Sequence, residues 1–136
     1  MIEQIILSIT LSWIIVKAIK TYIIWKKQGR LGLKDLLYDG GMPSAHTVLV
    51  VSTATSIYLD RGLTIYFVLA VVLALIVMND AMKVRLTTQE QSKVLNKLTK
   101  GKKGFPILDE HIGHTPKEVF VGMIFGIIIP IIVYAL

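Results

Sequence analysis

Long apolar runs separated by short polar stretches organise this chain. The first extends from about Ile5 to Trp25 and is interrupted by charge only at Lys17 and Lys20, in its second half. A second covers roughly Ser44 to Leu59, a third Gly62 to Asn79, and a fourth Val119 to Leu136. Runs of this length and character suit helices crossing ~30 Å of hydrocarbon at ~1.5 Å per residue. The second is the shortest, reaching only ~25 Å at that rise. Between the third and fourth lies a polar region in which Gln91, Val94, Leu95 and Leu98 share one helical face. That spacing predicts a short helix over about 88–99, lying on the membrane surface. The pattern predicts one all-α domain over 1–136: an integral membrane bundle of four transmembrane helices plus a short cytoplasmic interfacial helix.

Composition sharpens this picture. The chain has 136 residues, of which 54% are hydrophobic, and a mean hydropathy of +0.66. That exceeds what the core of so short a water-soluble protein requires. Cysteine is absent, which excludes disulfides and thiolate metal sites. The first run lacks a basic start and a small-residue cleavage site, so it is expected to remain as a span rather than act as a signal peptide.

The formal charge of +6 is unevenly placed. Lys26, Lys27, Arg30 and Lys34 follow the first span. Lys83, Arg85, Lys93, Lys97, Lys100, Lys102, Lys103 and Lys117 lie between the third and fourth. Arg61 alone occupies the remaining loop. Twelve basic residues against one mark the cytoplasmic side. The expectation is a multi-pass cell-membrane protein with both termini on the opposite side. No basic–aromatic interleaving or recognition helix points to nucleic acid; membrane lipids are the expected partners of the charge. With this topology Ser44 and His46, Asp80 and Arg85, and His114 and Glu118 all fall at one membrane face, with Lys20 just inside it.

The stretch GGMPSAH holds the first candidate chemistry. Gly40 and Gly41 permit a tight turn with close backbone approach, and Ser44 can cap the helix that follows. A helix start attracts phosphate, and His46 in its first turn can bond an anion or deliver a proton. An ordinary capped turn accounts for the same residues. In EHIGHTPKEVFVGMIFG, His114 and Glu118 stand one helical turn apart, so the carboxylate can orient the imidazole. Thr115 to Glu118 also reads as a capping box with proline at its first position. Gly122 and Gly126 make a small-residue face suited to another helix. Lys20 is an ionisable group within a span, which calls for a partner or a function, while Lys17 is expected to snorkel, although a rotation of the helix would exchange their roles. Asp80 and Arg85 can pair with each other; Arg85 can equally clamp phosphate oxygens. Gln91 and Asn96 are supporting candidates.

Taken in order, GGMPSAH, NDAMKVR, EQSKVLNKL and GHTPKEVFVGMIFG resemble the divergent type-2 phosphatidic acid phosphatase family, which is related to the vanadium-dependent haloperoxidases. Pro43-Ser44-Ala45-His46 is similar to the superfamily's Pro-Ser-Gly-His motif, and His114 and Glu118 to its last histidine and acidic partner. Two positions depart: Leu108 stands where the superfamily has arginine, and Lys27-Gln28 where it has Arg-Pro. The resemblance implies a metal-free lipid or isoprenoid phosphate phosphatase working through a phosphohistidine at the cytoplasmic face. His114 would attack phosphorus with Glu118 orienting it, and His46 would serve as acid and then base. Lys20, Ser44, Arg85 and the backbone around Gly41 would bind the phosphate, with Asp80 in support. No cofactor is implied, and vanadate would inhibit.

Two other readings stay open. One is a non-catalytic protein that binds an anionic lipid or assembles membrane proteins. The other is a metal-dependent hydrolase using His111, His114 and Asp109 or Glu110, with His46 as a further ligand. The small-residue face of the last span suggests a homodimer.

Overall fold

The computed structural model describes residues 2–30, 32 and 40–136. Lys34, counted above for orientation, lies outside the described residues. Among the described residues five helices follow in order: α1 (Ile2–Gln28), α2 (Ala45–Arg61), α3 (Ile65–Met82), α4 (Val84–Thr99) and α5 (Pro116–Ala135). Regular structure among the described residues is entirely helical.

Side-chain size determines which faces turn inward. On α3 the buried positions are Ala70, Ala74, Met78 and Ala81, whereas Val68, Leu69, Val72, Leu73, Leu75 and Ile76 face out. On α5 Gly122 and Gly126 are buried while Phe120, Ile127, Ile128, Ile131 and Ile132 face out. Small residues inside and large apolar ones outside are what packing in lipid favours, because backbones then approach closely and lipid solvates the rest. On α1 every fourth residue is buried: Ser8, Ser12, Val16 and Lys20. Ser8 Oγ donates to Gln4 O at 2.8 Å and Ser12 Oγ to Ser8 O at 2.7 Å, so both hydroxyls are satisfied within their own helix.

The centre belongs to α2, which packs against α1, α3 and α5. Its serines, threonines and alanines let three neighbours close around it. α2 and α5 run parallel, and their backbones nearly touch. A Cβ on Gly122 would lie 2.9 Å from Ser44 O, and one on Gly126 would lie 2.7 Å from Val51 Cβ. The glycine face of α5 is therefore filled by α2 of the same chain. That packing accounts for the glycines within one chain.

Among the described residues three segments are long and apolar enough to cross a membrane: α1, the stretch Ile65–Thr99 whose apolar part is α3, and α5. α2 has 17 residues and falls short of that length, so the structure does not display four equal spans. Element ends also shift. Gly62, at φ 67°, closes α2 after Arg61, and Thr64 caps Phe67 N–H, so α3 starts at Ile65 rather than 62. At its other end α3 runs past Asn79, whose carbonyl accepts from Lys83 N–H at 2.9 Å. α4 then begins at Val84, not near 88, with Lys83 alone between the two helices.

Candidate functional site at one end of the bundle

Four helix ends meet at a single level: the end of α1, the start of α2, the end of α3 and the start of α5. Three backbone or capping contacts hold those of α2, α3 and α5. Ser44 N–H donates to Glu118 O at 3.1 Å, joining the starts of α2 and α5. His114 N–H donates to Ala81 O at 3.1 Å; an unbroken helix would offer that carbonyl to Arg85. The interruption at Lys83 thus gives the segment before α5 a backbone anchor on α3. The third contact caps α2, where Ser44 Oγ accepts from Thr47 N–H at 3.4 Å and from Thr47 Oγ1 at 3.0 Å.

These anchors bring the two motif histidines together. The His46 and His114 rings lie 6.1 Å apart, centre to centre, edge to face at 78°. His114 is 1% exposed, and His46 is half-buried. A cleft of about 430 Å³ opens at the same end of the bundle, and neither His46, His114 nor Ser44 is part of its wall. Its polar wall includes Lys20, Lys27, Gly40, Gly41, His111 and Glu118, and Ile23, Ile24 and Met42 supply an apolar side. Gly41 has φ 79°, a conformation that glycine adopts without steric cost. Lys20 is buried at 3% exposure, while Lys17 rests over the Trp13 ring at 5.9 Å. The rotation of α1 is thereby fixed, with Lys20 inward. Lys27, two turns further along α1, shares its cleft face.

Other site candidates have different surroundings. Glu118 Oε2 accepts from Thr115 N–H at 2.9 Å, and Thr115 Oγ1 accepts from Glu118 N–H at 3.4 Å. This is the capping box, which engages one carboxylate oxygen of Glu118 at the start of α5. Arg85 Nε donates to Asp80 Oδ2 at 2.8 Å, and Arg85 is not part of the cleft wall. Gln91 faces outward on α4. Asn96 binds the segment ahead of α5: its Nδ2 donates to Leu108 O and to Glu110 Oε1, both at 2.8 Å. His111 Nδ1 lies 3.8 Å from Asp109 Oδ1. Among the described residues no three histidine or acidic side chains gather as a metal-holding group.

A family model described as the divergent PAP2 family matches residues 1–129. The chain belongs to the divergent PAP2 family. It is also similar to the uncharacterized membrane protein YuiD of Bacillus subtilis (strain 168), 32% identical over 144 aligned positions that cover 93% of this chain and 91% of the relative. No solved structure matches it.

In this divergent PAP2 chain Gln89 and Lys27 escape a motif-based reading. Gln89 Oε1 accepts from Gly113 N–H at 3.1 Å. Gly113 itself lies so close to α4 that a Cβ there would be 2.5 Å from Leu86 Cα. The only signal was the glycine before His114; nothing in the sequence joined it to Gln89. Lys27 had a better one, lying seven residues after Lys20 and so on the same side of α1.

Proposed function

We propose that this protein is a membrane-embedded phosphatase that hydrolyses a lipid or isoprenoid phosphate through a phosphohistidine. The observation that carries this reading is the meeting of His46 and His114 at 6.1 Å, from two different helix starts, at the end of the bundle that also holds a cleft with two lysines and a glycine turn. The headgroup enters past the half-exposed His46, and the apolar chain lies along Ile23, Ile24 and Met42. An imidazole nitrogen of His114 attacks phosphorus while His46 protonates the departing lipid oxygen. His46 then takes a proton from water, which attacks the phosphohistidine and releases inorganic phosphate. Lys20, the Gly41 amide and the α2 start at Ser44 bind the phosphoryl oxygens, where donors placed in advance contribute most.

Lys27 replaces Arg85 as the second cation in this scheme, because Arg85 is engaged with Asp80. Glu118 acts by holding the start of α5 in register with Ser44. The reaction as proposed needs no cofactor. The excess of basic residues supports a cleft on the cytoplasmic side with both termini opposite, and in this reading α2 completes a four-helix bundle within the membrane.

Phosphate release by purified protein, measured over a panel of lipid monophosphates and diphosphates with and without vanadate, tests the proposal. Hydrolysis that vanadate inhibits and that His114→Ala removes, in a variant that still folds, is the expected result. The Asp80–Arg85 pair and Leu108 in place of an arginine favour a second reading, a non-catalytic binder of anionic lipid. Saturable binding without turnover across the panel would establish that reading instead.

A further inference from the structure

α4 is an amphipathic helix packed the opposite way to those of soluble proteins. At 3.6 residues per turn, Gln89, Ser92 and Asn96 fall on one side and Thr87, Gln91, Val94, Leu95 and Leu98 on another. The polar side is the covered one. Ser92 is 6% exposed, whereas Val94, Leu95 and Leu98 are 57%, 47% and 64% exposed. The chain's own segment before α5 closes the polar side, through Gln89 to Gly113 N–H and through Asn96 to Leu108 and Glu110. Leu108 N–H returns a bond to Asn96 Oδ1 at 2.9 Å. A helix on a water-soluble domain would bury the apolar strip instead.

Charge and position identify what covers the strip. From Lys83 to Lys103 the sequence holds seven basic residues and one acidic, Glu90, which Lys93 binds at 2.8 Å. Lys97 lies beside the apolar strip, and Lys100, Lys102 and Lys103 follow the helix. None of these four is paired with a carboxylate among the described residues. A second copy laid on this strip would bring like charges face to face. α4 also begins one residue after α3, the apolar segment long enough to cross a bilayer. An anionic lipid surface is therefore the occupant that matches the strip in both charge and place.

We propose that α4 docks its Val94, Leu95 and Leu98 strip on an anionic lipid surface, and that Gln89 and Asn96 pass this engagement to the segment carrying His114. The charge of the surrounding bilayer then sets how firmly His114 is held. The consequence for activity rests on the phosphatase reading; the coupling itself does not. A helix of 16 residues is marginal in water by itself. Lipid contact and the Gln89 and Asn96 bonds stabilise the same helix from opposite sides, so each strengthens the other.

The full chain in nanodiscs of phosphatidylcholine, alone or mixed with phosphatidylglycerol, tests this by hydrogen exchange. Each lysine near an anionic surface strengthens association about fivefold, so exchange over 84–99 and over 108–114 is expected to slow by about fivefold or more in the anionic discs. The surface variant Lys97→Glu/Lys100→Glu is expected to lose that difference in both segments. Gln89→Ala/Asn96→Ala is expected to keep it in α4 and lose it in 108–114. Lipid-independent exchange in the wild type would overturn the proposal. So would a 108–114 segment that still follows lipid charge in Gln89→Ala/Asn96→Ala, or crosslinks between the α4 strips of two copies. A protein with no phosphatase activity that shows the expected exchange pattern sinks the phosphatase reading alone; an active protein without the pattern sinks the coupling alone.

Discussion

Replacing Gly113 with alanine adds one methyl group where the structure has no space for it. The new Cβ would stand 2.5 Å from Leu86 Cα, 2.8 Å from Leu86 N and 3.1 Å from Arg85 C. All three are backbone atoms, so no rotamer change relieves the clash. Ordinary contact begins at 3.4 Å, so the segment must retreat from α4 by about 0.9 Å. Gly113 is not among the positive-φ glycines, and alanine therefore brings no backbone strain of its own. A retreat of that size stretches the His114 N–H bond to Ala81 O from 3.1 Å to as much as about 4 Å, beyond hydrogen-bonding distance. A displacement of about 1 Å at a reacting group costs on the order of a hundredfold in rate. Overpacking itself costs about 1–3 kcal/mol, and it falls outside the membrane helices, so the bundle should remain. The assay compares initial rates of phosphate release for Gly113→Ala and wild type on the best lipid substrate, with thermal unfolding in detergent as the folding control. A loss of about a hundredfold with a melting transition still present is expected. A kcat/KM within about twofold of wild type would refute the idea that contact with α4 sets the position of His114.

Three further variants examine other parts of the structure. Gly126→Ala puts a Cβ 2.7 Å from Val51 Cβ and 3.1 Å from Ser52 N, so thermal unfolding in detergent should show about 1–3 kcal/mol of destabilisation; an unchanged melt would contradict the close α2–α5 contact. Glu118→Gln keeps an acceptor for Thr115 N–H and should retain phosphate release to within about tenfold. A loss as deep as that of His114→Ala would instead make the carboxylate charge a direct partner of the histidine. Lys20→Met removes a charged donor from the cleft and should raise KM by roughly ten- to a hundredfold, the weight of a hydrogen bond to an ionised group; steady-state kinetics over substrate concentration would show it, and an unchanged KM would remove Lys20 from the phosphate site.

Much of the helical pattern was legible in the sequence because lipid imposes a simple rule on it. Apolar runs of sufficient length marked α1, α3 and α5, and the GGMPSAH turn marked the start of α2. Helix contacts between those runs were harder to read. In a membrane the outward faces are as apolar as the core, so periodicity does not say which side of a helix is buried. Lys17 and Lys20 were both possible inward residues until Ser8, Ser12 and Val16 placed the buried stripe on the Lys20 side. The central position of α2 follows from its small residues, yet its sequence equally reads as a short span facing lipid. Glu118 served two readings equally well on paper, as histidine partner and as capping residue, and local hydrogen bonding shows the capping one, through a single carboxylate oxygen. Gln89 could not be anticipated, because its partner Gly113 lies 24 residues away and is reached only through the fold.

Trapping the covalent intermediate is the most direct test of the chemistry. Purified protein is mixed with a lipid phosphate carrying labelled phosphorus, quenched within one turnover in base, and digested for mass spectrometry. An acid-labile phosphoryl group on the peptide containing His114, lost on adding vanadate and missing from His114→Ala, is the expected result. Turnover with the label on another residue, or with labelled phosphate released and none ever bound to the protein, would contradict a phosphohistidine at His114.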